Sequence, residues 1–492
     1  MSWPSDPVIY EINTAVWLDS LFQAREGSLS LGEVTPAEWD SVTPHGVDAV
    51  WLMGVWERSP AGLEIAKHNQ ELIASFREAL PDLRDDDIIG SPYCVRRYVV
   101  DSMFGGPDGL ATARAALAAR GVRLILDYVP NHVAPDHPWV AEHPERFVRG
   151  TPDEAATDPA AWMSAGDHVL AHGRDPYFPP WPDVVQLDAF AAETRVATAD
   201  TLSDIADQCD GVRCDMAMLL TNPVFAKTWG GRTGPEPVEE FWPAVIASLK
   251  AKHPEVVLFA ETYWDLEWEL QRQGFDFCYD KRLYDRLIGE SVTSVRDHLR
   301  ADLGYQSRLL RFLENHDEPR IASRVSTDVE RAAAVVIATL PGATLWHEGQ
   351  FEHRRVRPPV FLRRRPDEVE DPESAAWYRR LLAAVSNARV RSGSWRLIEP
   401  AGWPDNQTCH DLLAWAWSDE KAGRRSLVVV NFSDVDAQAR VPLPWTDLRG
   451  GTWRLSDPLQ SGELERNGDE LADEGLFVAL GPRHIHLLCF AR

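Results

Sequence analysis

Short apolar runs alternate with stretches of helical periodicity about eight times up to residue 391. The runs have the length and β-branched content of buried strands, and the stretches between them carry apolar residues at three- and four-residue spacing, as helices do. The candidate strands are VIYEIN from Val8, DAVWLMG from Asp48, VRLILDYV from Val122, GVRCDM from Gly211, VVLFAET from Val256, FDFCYD from Phe275, RLLRFLEN from Arg308 and ATLWHEG from Ala343. Eight strands that alternate with helices predict an α/β fold, a closed (β/α)8 TIM barrel.

Two regions depart from this alternation. About fifty residues after Asn131, rich in Pro, Asp, His and Trp, precede a helix expected near Ala189, and so long a connection is typical of a functional insert or a small domain. Beyond Arg391 the pattern is that of strands only, separated by turn-rich segments, which indicates an all-β sandwich. The predicted division is 1–131 and 189–391 for the barrel, 132–188 for the insert and 392–492 for the C-terminal sandwich.

Composition and charge exclude several classes of protein. The chain is 44% hydrophobic and 26% charged, as globular proteins are, and its net charge of −26 repels nucleic acid and anionic membranes. The start, MSWPSDPVIYEI, lacks the basic and apolar regions of a signal peptide, and no apolar run has the length of a bilayer span. The six cysteines lack metal-ligand spacing and fit reduced thiols. We therefore expect a cytoplasmic protein without nucleic acid or membrane partners; its oligomeric state stays open.

Polar residues follow four of the candidate strands, at the end where barrel enzymes have their active sites. The four stretches are LILDYVPNHV (124–133), GVRCDMAM (211–218), VLFAETYW (257–264) and RFLENHDEPR (311–320). A period of two places Arg213 and Asp215 on one face of their strand. Because a neighbouring arginine favours an ionised carboxyl, Asp215 is suited to act as a nucleophile. Glu261 follows an apolar run that favours the protonated form, which suits a general acid.

An ionised and a protonated carboxyl on neighbouring strands are the pair that retaining glycoside hydrolysis uses. Asp317 adds a third carboxylate, expected to hold sugar hydroxyls and to stabilise the transition state, while His132 and His316 donate hydrogen bonds to the same ring. Asp127 also ends a strand, where an acidic residue often only binds backbone. Each side chain alone is more often structural than functional, so the prediction of a site depends on their joint occurrence.

These stretches resemble the four conserved regions of glycoside hydrolase family 13, the α-amylase superfamily. DYVPNH is similar to the first region, GVRCD to the second, FAET to the third and ENHDEPR to the fourth, while WPDVVQLDAF (181–190) resembles the additional region near the end of the family's inserted B domain. The resemblance covers about residues 7 to 390 and implies a barrel with a B domain and a C-terminal sandwich. By that resemblance Asp215 is the nucleophile, with Arg213 beside it, Glu261 is the acid/base, and Tyr93 is the stacking platform for the sugar. The predicted catalytic residues are therefore Asp215, Glu261 and Asp317, and the predicted substrate-binding residues are Arg213, His132, His316, Tyr93 and Asp127.

Three features depart from the family's pattern. Met218 and Leu219 stand where calcium-dependent amylases have Lys and His, so we expect no cofactor and no metal site, with calcium through Asn131 open but disfavoured. Cys94 stands where many exo-acting α-glucosidases have an Asp, which weakens an exo-glucosidase interpretation. The loop FEHRRVRPPVFLRRR (351–365) carries six arginines near the expected mouth of the site. Such groups suit a phosphate or another anion, or they pair with the acidic excess of the protein or with the sandwich.

Three functions follow from these observations. The first is a retaining enzyme that hydrolyses α-glucosidic bonds in oligosaccharides or α-glucans or transfers the glycosyl unit, with Trp162, Trp181 and Trp264 as candidates for further sugar subsites. The second is a phosphate-using glucosyl or maltosyl transferase, for which the arginine loop is the discriminating feature. The third, a non-catalytic scaffold like the family's transporter-associated ectodomains, is disfavoured because all three carboxyls are present and the sequence shows no anchor.

Overall fold

The computed structural model describes residues 2–25, 30–289 and 291–492. All eight predicted strands form, each pairs in parallel with its neighbours, and the first pairs with the eighth to close the barrel. The barrel strands are Val8–Asn13, Ala49–Met53, Arg123–Tyr128, Gly211–Cys214, Val257–Ala260, Phe277–Tyr279, Leu309–Arg311 and Ala343–His347. The predicted barrel is therefore confirmed.

The alternation of side chains along each strand separates two apolar clusters. In the first strand Ile9 belongs to the cluster inside the barrel, whereas Tyr10 packs in the layer between strands and helices. In the fourth strand Val212 and Cys214 pack in the helical layer, as the period of two predicts. Arg213, between them, therefore points into the barrel.

Helices cover the outside of the barrel. They are Thr14–Arg25, Pro36–Val42, Pro60–His68, Gln70–Ala79, Gly106–Ala118, Ala192–Ala206, Asn222–Trp229, Phe241–Lys252, Glu267–Gln273, Lys281–Gly289, Val292–Leu299, Leu303–Gln306, Thr327–Thr339 and Pro372–Asn387. The helices expected from the periodicity near Ala111, Glu240 and Val329 begin within five residues of those positions. Within the described ranges, none of the helices combines the length and the apolar character that crossing a bilayer requires.

The long connection after the third barrel strand folds into a small antiparallel sheet with its own apolar cluster. Its strands are His132–Val133, Trp162–Ala165, His168–Gly173 and Trp181–Gln186, and its helices are Pro138–Glu142 and Pro152–Thr157. The helix that follows begins at Ala192 instead of near Ala189. A separate pair, Trp56–Arg58 with Val95–Val100, holds the segment that carries Tyr93.

The C-terminal region is an antiparallel six-stranded sheet packed against a two-stranded sheet, which confirms the predicted sandwich. The larger sheet contains Ser394–Ile398, Leu412–Asp419, Arg424–Asn431, Thr452–Asp457, Gly462–Asn467 and Ile485–Ala491, and the smaller one Ala437–Val441 and Leu476–Leu480, with a helix at Gly468–Asp473. The outer face of the larger sheet packs on the barrel through Trp415 and Trp417, and the Trp417 indole N–H donates to the Thr339 carbonyl at 2.8 Å. The exact domain boundaries stay a prediction.

Candidate active site

Arg213, at the end of the fourth barrel strand, brings two carboxyl groups together. Its Nη1 donates to Asp215 Oδ1 at 2.7 Å, and its Nη2 lies 2.8 Å from Glu261 Oε2. The guanidinium is buried and lies over the rings of Trp51 and Tyr279, 5.2 and 5.8 Å from their centroids. The predicted nucleophile and acid/base are thus joined by one buried cation.

Glu261 has two further hydrogen-bond donors. The Tyr263 hydroxyl donates to Oε1 at 2.8 Å, and the backbone N–H of Met216 donates to Oε2 at 2.7 Å. Met216 has a φ of 42°, a left-handed conformation that costs a non-glycine residue about 1–3 kcal/mol. The strained turn directly after Asp215 therefore aims a backbone donor at Glu261.

The protonation of Asp215 differs from the expectation. Arg213 contacts Asp215 as predicted and opposes its protonation, but burial outweighs the arginine and, together with the charge of Glu261, raises the pKa of Asp215 to about 8. The physical reason is that one guanidinium serves several carboxyls in a site from which water is excluded. In the free protein at neutral pH, the Asp215 carboxyl is therefore protonated.

His316 links the third predicted carboxylate to the barrel. Its Nε2 lies 2.9 Å from Asp317 Oδ2 and 2.6 Å from the Tyr93 hydroxyl, and its Nδ1 is hydrogen-bonded to Glu11 Oε1. Desolvation opposes ionisation of Asp317, but the charge of His316 and its hydrogen bond lower the pKa of Asp317 below the ordinary value. Asp317 is therefore an anion at the mouth of the site, and both ring nitrogens of His316 are already engaged by protein groups.

Tyr93 and His132 lie on either side of the insert's junction with the barrel. The Tyr93 ring stacks on His316 with centroids 5.4 Å apart, and it lies 5.3 Å from the Arg213 guanidinium. His132 is buried and packs edge-on against Trp181. Burial lowers the pKa of His132 to about 4, although a hydrogen bond with the Tyr93 backbone opposes this shift. His132 is therefore neutral at physiological pH.

Asp127 lies beneath the carboxyl pair and is largely bound to the barrel itself. Its Oδ2 accepts the Gly54 backbone N–H at 2.9 Å, and its Oδ1 lies 3.7 Å from Arg213 Nη1. Burial raises the pKa of Asp127, with Arg213 opposing. Because Asp127 is 2% exposed, its position suits orienting Arg213 and the strand end better than contact with a substrate.

The structure adds residues to the site that the sequence analysis missed. Glu11 contacts His316, Tyr263 contacts Glu261, and the Tyr279 hydroxyl accepts from Arg213 Nε at 3.3 Å. Two of them left a signal: Glu11 is a lone acid in an apolar strand, and Tyr263 follows Glu261 by two residues.

A cavity of about 450 Å³ opens beside Glu261. Its lining residues are Asp175, Phe178, Met216, Tyr263, Trp264, Glu267, Lys281, Arg282 and Asp285. Trp264 was a candidate for a sugar subsite and does line this cavity, with its ring edge-on to Tyr177. The cationic side chains have acidic partners, since Arg282 binds Asp265 and Lys281 Nζ lies 3.3 Å from Glu318 Oε1. The cavity therefore offers aromatic faces and paired charges, which suit a neutral polar molecule.

Most arginines of the loop 351–365 are paired with acidic residues. The pairs are Arg354 with Glu370 at 2.9 Å, Arg363 with Asp19 at 3.0 Å, Arg364 with Asp87 at 2.7 Å and Arg365 with Glu348 at 2.7 Å. Arg355 and Arg357 are exposed, and Arg357 donates to the backbone carbonyl of Asp317. Three of the six arginines, Arg363, Arg364 and Arg365, thus anchor the loop to the barrel, Arg354 pairs within the same connection, and Arg357 reaches the site.

The side chain of Asn131 is hydrogen-bonded within the protein. Gln186 donates to both the side-chain and the backbone oxygen of Asn131, at 2.9 Å each, so these oxygens already have a partner. In the described part of the chain, no group of three or more His, Cys, Asp or Glu side chains is placed to hold a metal ion.

Comparisons with known proteins relate this geometry to α-amylases. The chain is 26% identical over 365 residues to the α-amylase MalA of Haloarcula japonica, which covers 72% of this chain and 45% of that protein. It is 28% identical over 206 residues to the α-1,4-glucan:maltose-1-phosphate maltosyltransferase of Burkholderia pseudomallei, covering 39% of this chain and 15% of that protein. A maltogenic α-amylase of Thermotoga neapolitana superposes with a TM-score of 0.68 at 20% identity, covering 99% of both chains.

The chain spans less than half the length of these two curated relatives. No protein-family model matches it. The structural likeness extends over the whole chain and therefore concerns the barrel, the insert and the sandwich together.

Proposed function

We propose that the chain is a member of the α-amylase superfamily, glycoside hydrolase family 13, and that it cleaves α-glucosidic bonds in oligosaccharides or α-glucans with retention of configuration. The observation that supports this proposal most is the pair of carboxyls, Asp215 and Glu261, on the buried Arg213 guanidinium. A binding protein needs no such pair, whereas a double displacement needs a nucleophile and an acid.

In the proposed reaction the Asp215 carboxylate attacks the anomeric carbon while Glu261 gives its proton to the leaving oxygen. The glycosidic C–O bond breaks and an ester forms between the sugar and Asp215. The Glu261 carboxylate then takes a proton from water or a sugar hydroxyl, whose oxygen attacks the anomeric carbon and releases Asp215. Water yields hydrolysis, and a hydroxyl yields transglycosylation.

This cycle requires the proton of the pair to reside on Glu261 when the bond breaks. The free protein holds it on Asp215, and the two arrangements have the same net charge. Binding of a substrate therefore has to move one proton between the carboxyls. In this proposal Asp317 with its partner His316 supplies negative charge for the oxocarbenium-like transition state. Tyr93, whose ring packs on His316, is the proposed stacking platform for the sugar.

A second candidate is a phosphate-using glucosyl or maltosyl transferase, since the names of the matched maltosyltransferases include maltose 1-phosphate. The observation that favours it is the exposed Arg357, whose guanidinium contacts the backbone of Asp317. The paired charges of the cavity beside Glu261 favour a neutral acceptor instead. We place hydrolysis or transglycosylation first for this reason.

The buried, unpaired thiols support a cytoplasmic location as part of the same proposal, since five of the six free cysteines are buried. The net charge of −26 supports a neutral glucan rather than nucleic acid as the partner.

Product analysis separates the two candidates. The purified protein is incubated with maltotetraose, with and without inorganic phosphate, and the products are separated by chromatography. Shorter or longer maltooligosaccharides in both reactions would support hydrolysis or transglycosylation. A sugar phosphate formed only in the presence of phosphate would support the second candidate, and the absence of any product would contradict both on this substrate.

Asp215→Asn and Glu261→Gln test the assigned roles. We expect each variant to lose activity by about a thousandfold or more, because the first loses the nucleophile and the second the proton donor. Asp434→Asn, an exposed acid of the sandwich, is the matched control and should keep full activity. Unchanged turnover in either site variant would refute the assignment.

A further inference from the structure

Glu11 is a buried acid of the first barrel strand, and it lies outside the four stretches that carry the predicted carboxylates. It is 0% exposed, and its Oε1 is hydrogen-bonded to Nδ1 of His316. Its second oxygen, Oε2, has no hydrogen-bond partner among the described residues. A buried carboxylate with an oxygen that lacks a hydrogen-bond partner is unfavourable for folding. A functional role in the site therefore explains Glu11 better than a contribution to stability.

His316 is held from both edges of its ring. Glu11 binds Nδ1, while Asp317 and the Tyr93 hydroxyl meet at Nε2. The Tyr93 ring stacks on the imidazole, and Trp51 packs edge-on at 5.5 Å. The imidazole is therefore fixed in one orientation, and the positions of Asp317 and the Tyr93 hydroxyl at Nε2 depend on that orientation.

The charges around the ring favour the imidazolium form. The titratable and charged groups that face His316 and its partners are Glu11, Tyr93, Asp127, Arg213, Asp215, Tyr263, Tyr279, Asp317, His347 and Arg357. Burial opposes the charge, but Asp317 and Glu11 raise the pKa of His316 well above its ordinary value. With Glu11 neutral, only one carboxylate would contact the ring.

We infer that Glu11 is a positioning residue of the active site. It holds the imidazolium ring of His316 in one orientation, and that ring in turn positions Asp317 and Tyr93. The inference rests on the proposed function, in which Asp317 and Tyr93 contact the sugar. Glu11 itself touches neither a substrate nor the reacting carboxyls. Glu11 acts on the reaction only through the imidazole ring of His316, a residue 305 positions away in the sequence.

The test compares Glu11→Gln, which keeps the shape and removes the charge, with Glu11→Asp, which keeps the charge. Glu330→Gln is the matched control. Glu330 is also a buried acid next to a histidine, with Oε2 3.2 Å from His353 Nδ1, and it accepts the Tyr378 hydroxyl at 2.6 Å. The readouts are the titration of the His316 ring by NMR on histidine-labelled protein, with the signal assigned by His316→Gln, and the pH dependence of kcat and KM.

An opposite charge shifts a pKa by about 1–3 units. In Glu11→Gln the His316 ring should therefore titrate at a pH where the wild-type ring stays charged, and Glu11→Asp should restore most of the charge. We expect kcat of Glu11→Gln to fall by roughly tenfold to a hundredfold, the range known for removal of the hydrogen-bond partner of a metal-bound histidine. The basic limb of the pH profile of kcat should also move to lower pH in this variant. Glu330→Gln should leave both the ring titration and the shape of the pH profile unchanged.

A His316 titration in Glu11→Gln identical to that of the wild type would overturn the inference, as would a pH profile that merely scales down with stability. The same holds if Glu330→Gln reproduces the full effect. The NMR readout needs no turnover, so a failure of the proposed activity leaves the test of the Glu11–His316 pair intact.

Discussion

Arg213 lies at the centre of the site because three carboxyls lie within reach of one guanidinium. The distances are 2.7 Å to Asp215, 2.8 Å to Glu261 and 3.7 Å to Asp127. One positive charge cannot neutralise three buried negative charges, and water is not available to do so. Retention of a proton within the carboxyl pair is therefore a consequence of the packing.

A pH dependence follows at this scale. Burial raises the pKa of Asp215 to about 8, so the Asp215 carboxyl loses its proton as the pH rises through that value. In the proposed reaction, Glu261 then has no proton to give to the leaving oxygen. We expect kcat/KM to fall as the pH rises through about 8, measured on a maltooligosaccharide at constant ionic strength.

Circular dichroism at each pH is the control, since it separates loss of the proton from loss of the fold. A value of kcat/KM that stays flat or rises through this range would contradict the shared proton.

The arginine loop shows how an element acquires its role from its surroundings. As a sequence it resembles an anion site, but Arg364 is held by Asp87 at 2.7 Å and by Asp82 at 3.1 Å. Asp87 is buried, and its pKa is lowered because the hydrogen bonds from Arg364 and the Arg84 backbone outweigh desolvation. These bonds fasten the loop to the segment before Tyr93.

Arg364→Ala tests this anchoring. We expect the free energy of unfolding to fall by about 1–3 kcal/mol, because the buried Asp87 loses its charged partner. Arg355→Ala, at an exposed position of the same loop, should change it by less than about 0.5 kcal/mol. Denaturant unfolding measures both. Equal stability of the two variants, with sugar-phosphate formation lost only in Arg364→Ala, would indicate an anion site instead.

The whole molecule is built as a barrel and a sandwich that share an apolar interface. Trp415 and Trp417 of the sandwich pack in the same cluster as the barrel's outer layer, and the Trp417 indole binds the end of Thr327–Thr339. A shared core couples the unfolding of the two parts.

Trp417→Ala tests that coupling. We expect the free energy of unfolding to fall by about 3–5 kcal/mol, with barrel and sandwich unfolding in one transition at a lower temperature. Trp403→Ala, a tryptophan 36% exposed on the sandwich, is the matched control and should have a much smaller effect. Calorimetry that resolves two transitions, with only one of them shifted, would show that the interface does not couple them.

The eight strands and the positions of Asp215, Glu261 and Asp317 at their ends could be determined from the sequence alone. Strand–helix alternation and the period of two are local properties, and a parallel barrel gathers its strand ends at one face whatever the loops do. The α-amylase resemblance adds the roles that we propose for these residues, because short contiguous motifs carry it.

Only the tertiary structure decided which charges meet. Glu11 and His316 contact each other across 305 positions, and Arg364 reaches Asp87 across 277. The proton on Asp215 likewise depends on burial and on Glu261, which a strand pattern does not contain. Protonation and ion pairing are properties of water exclusion and of distance in space, so they appear only once the chain has folded.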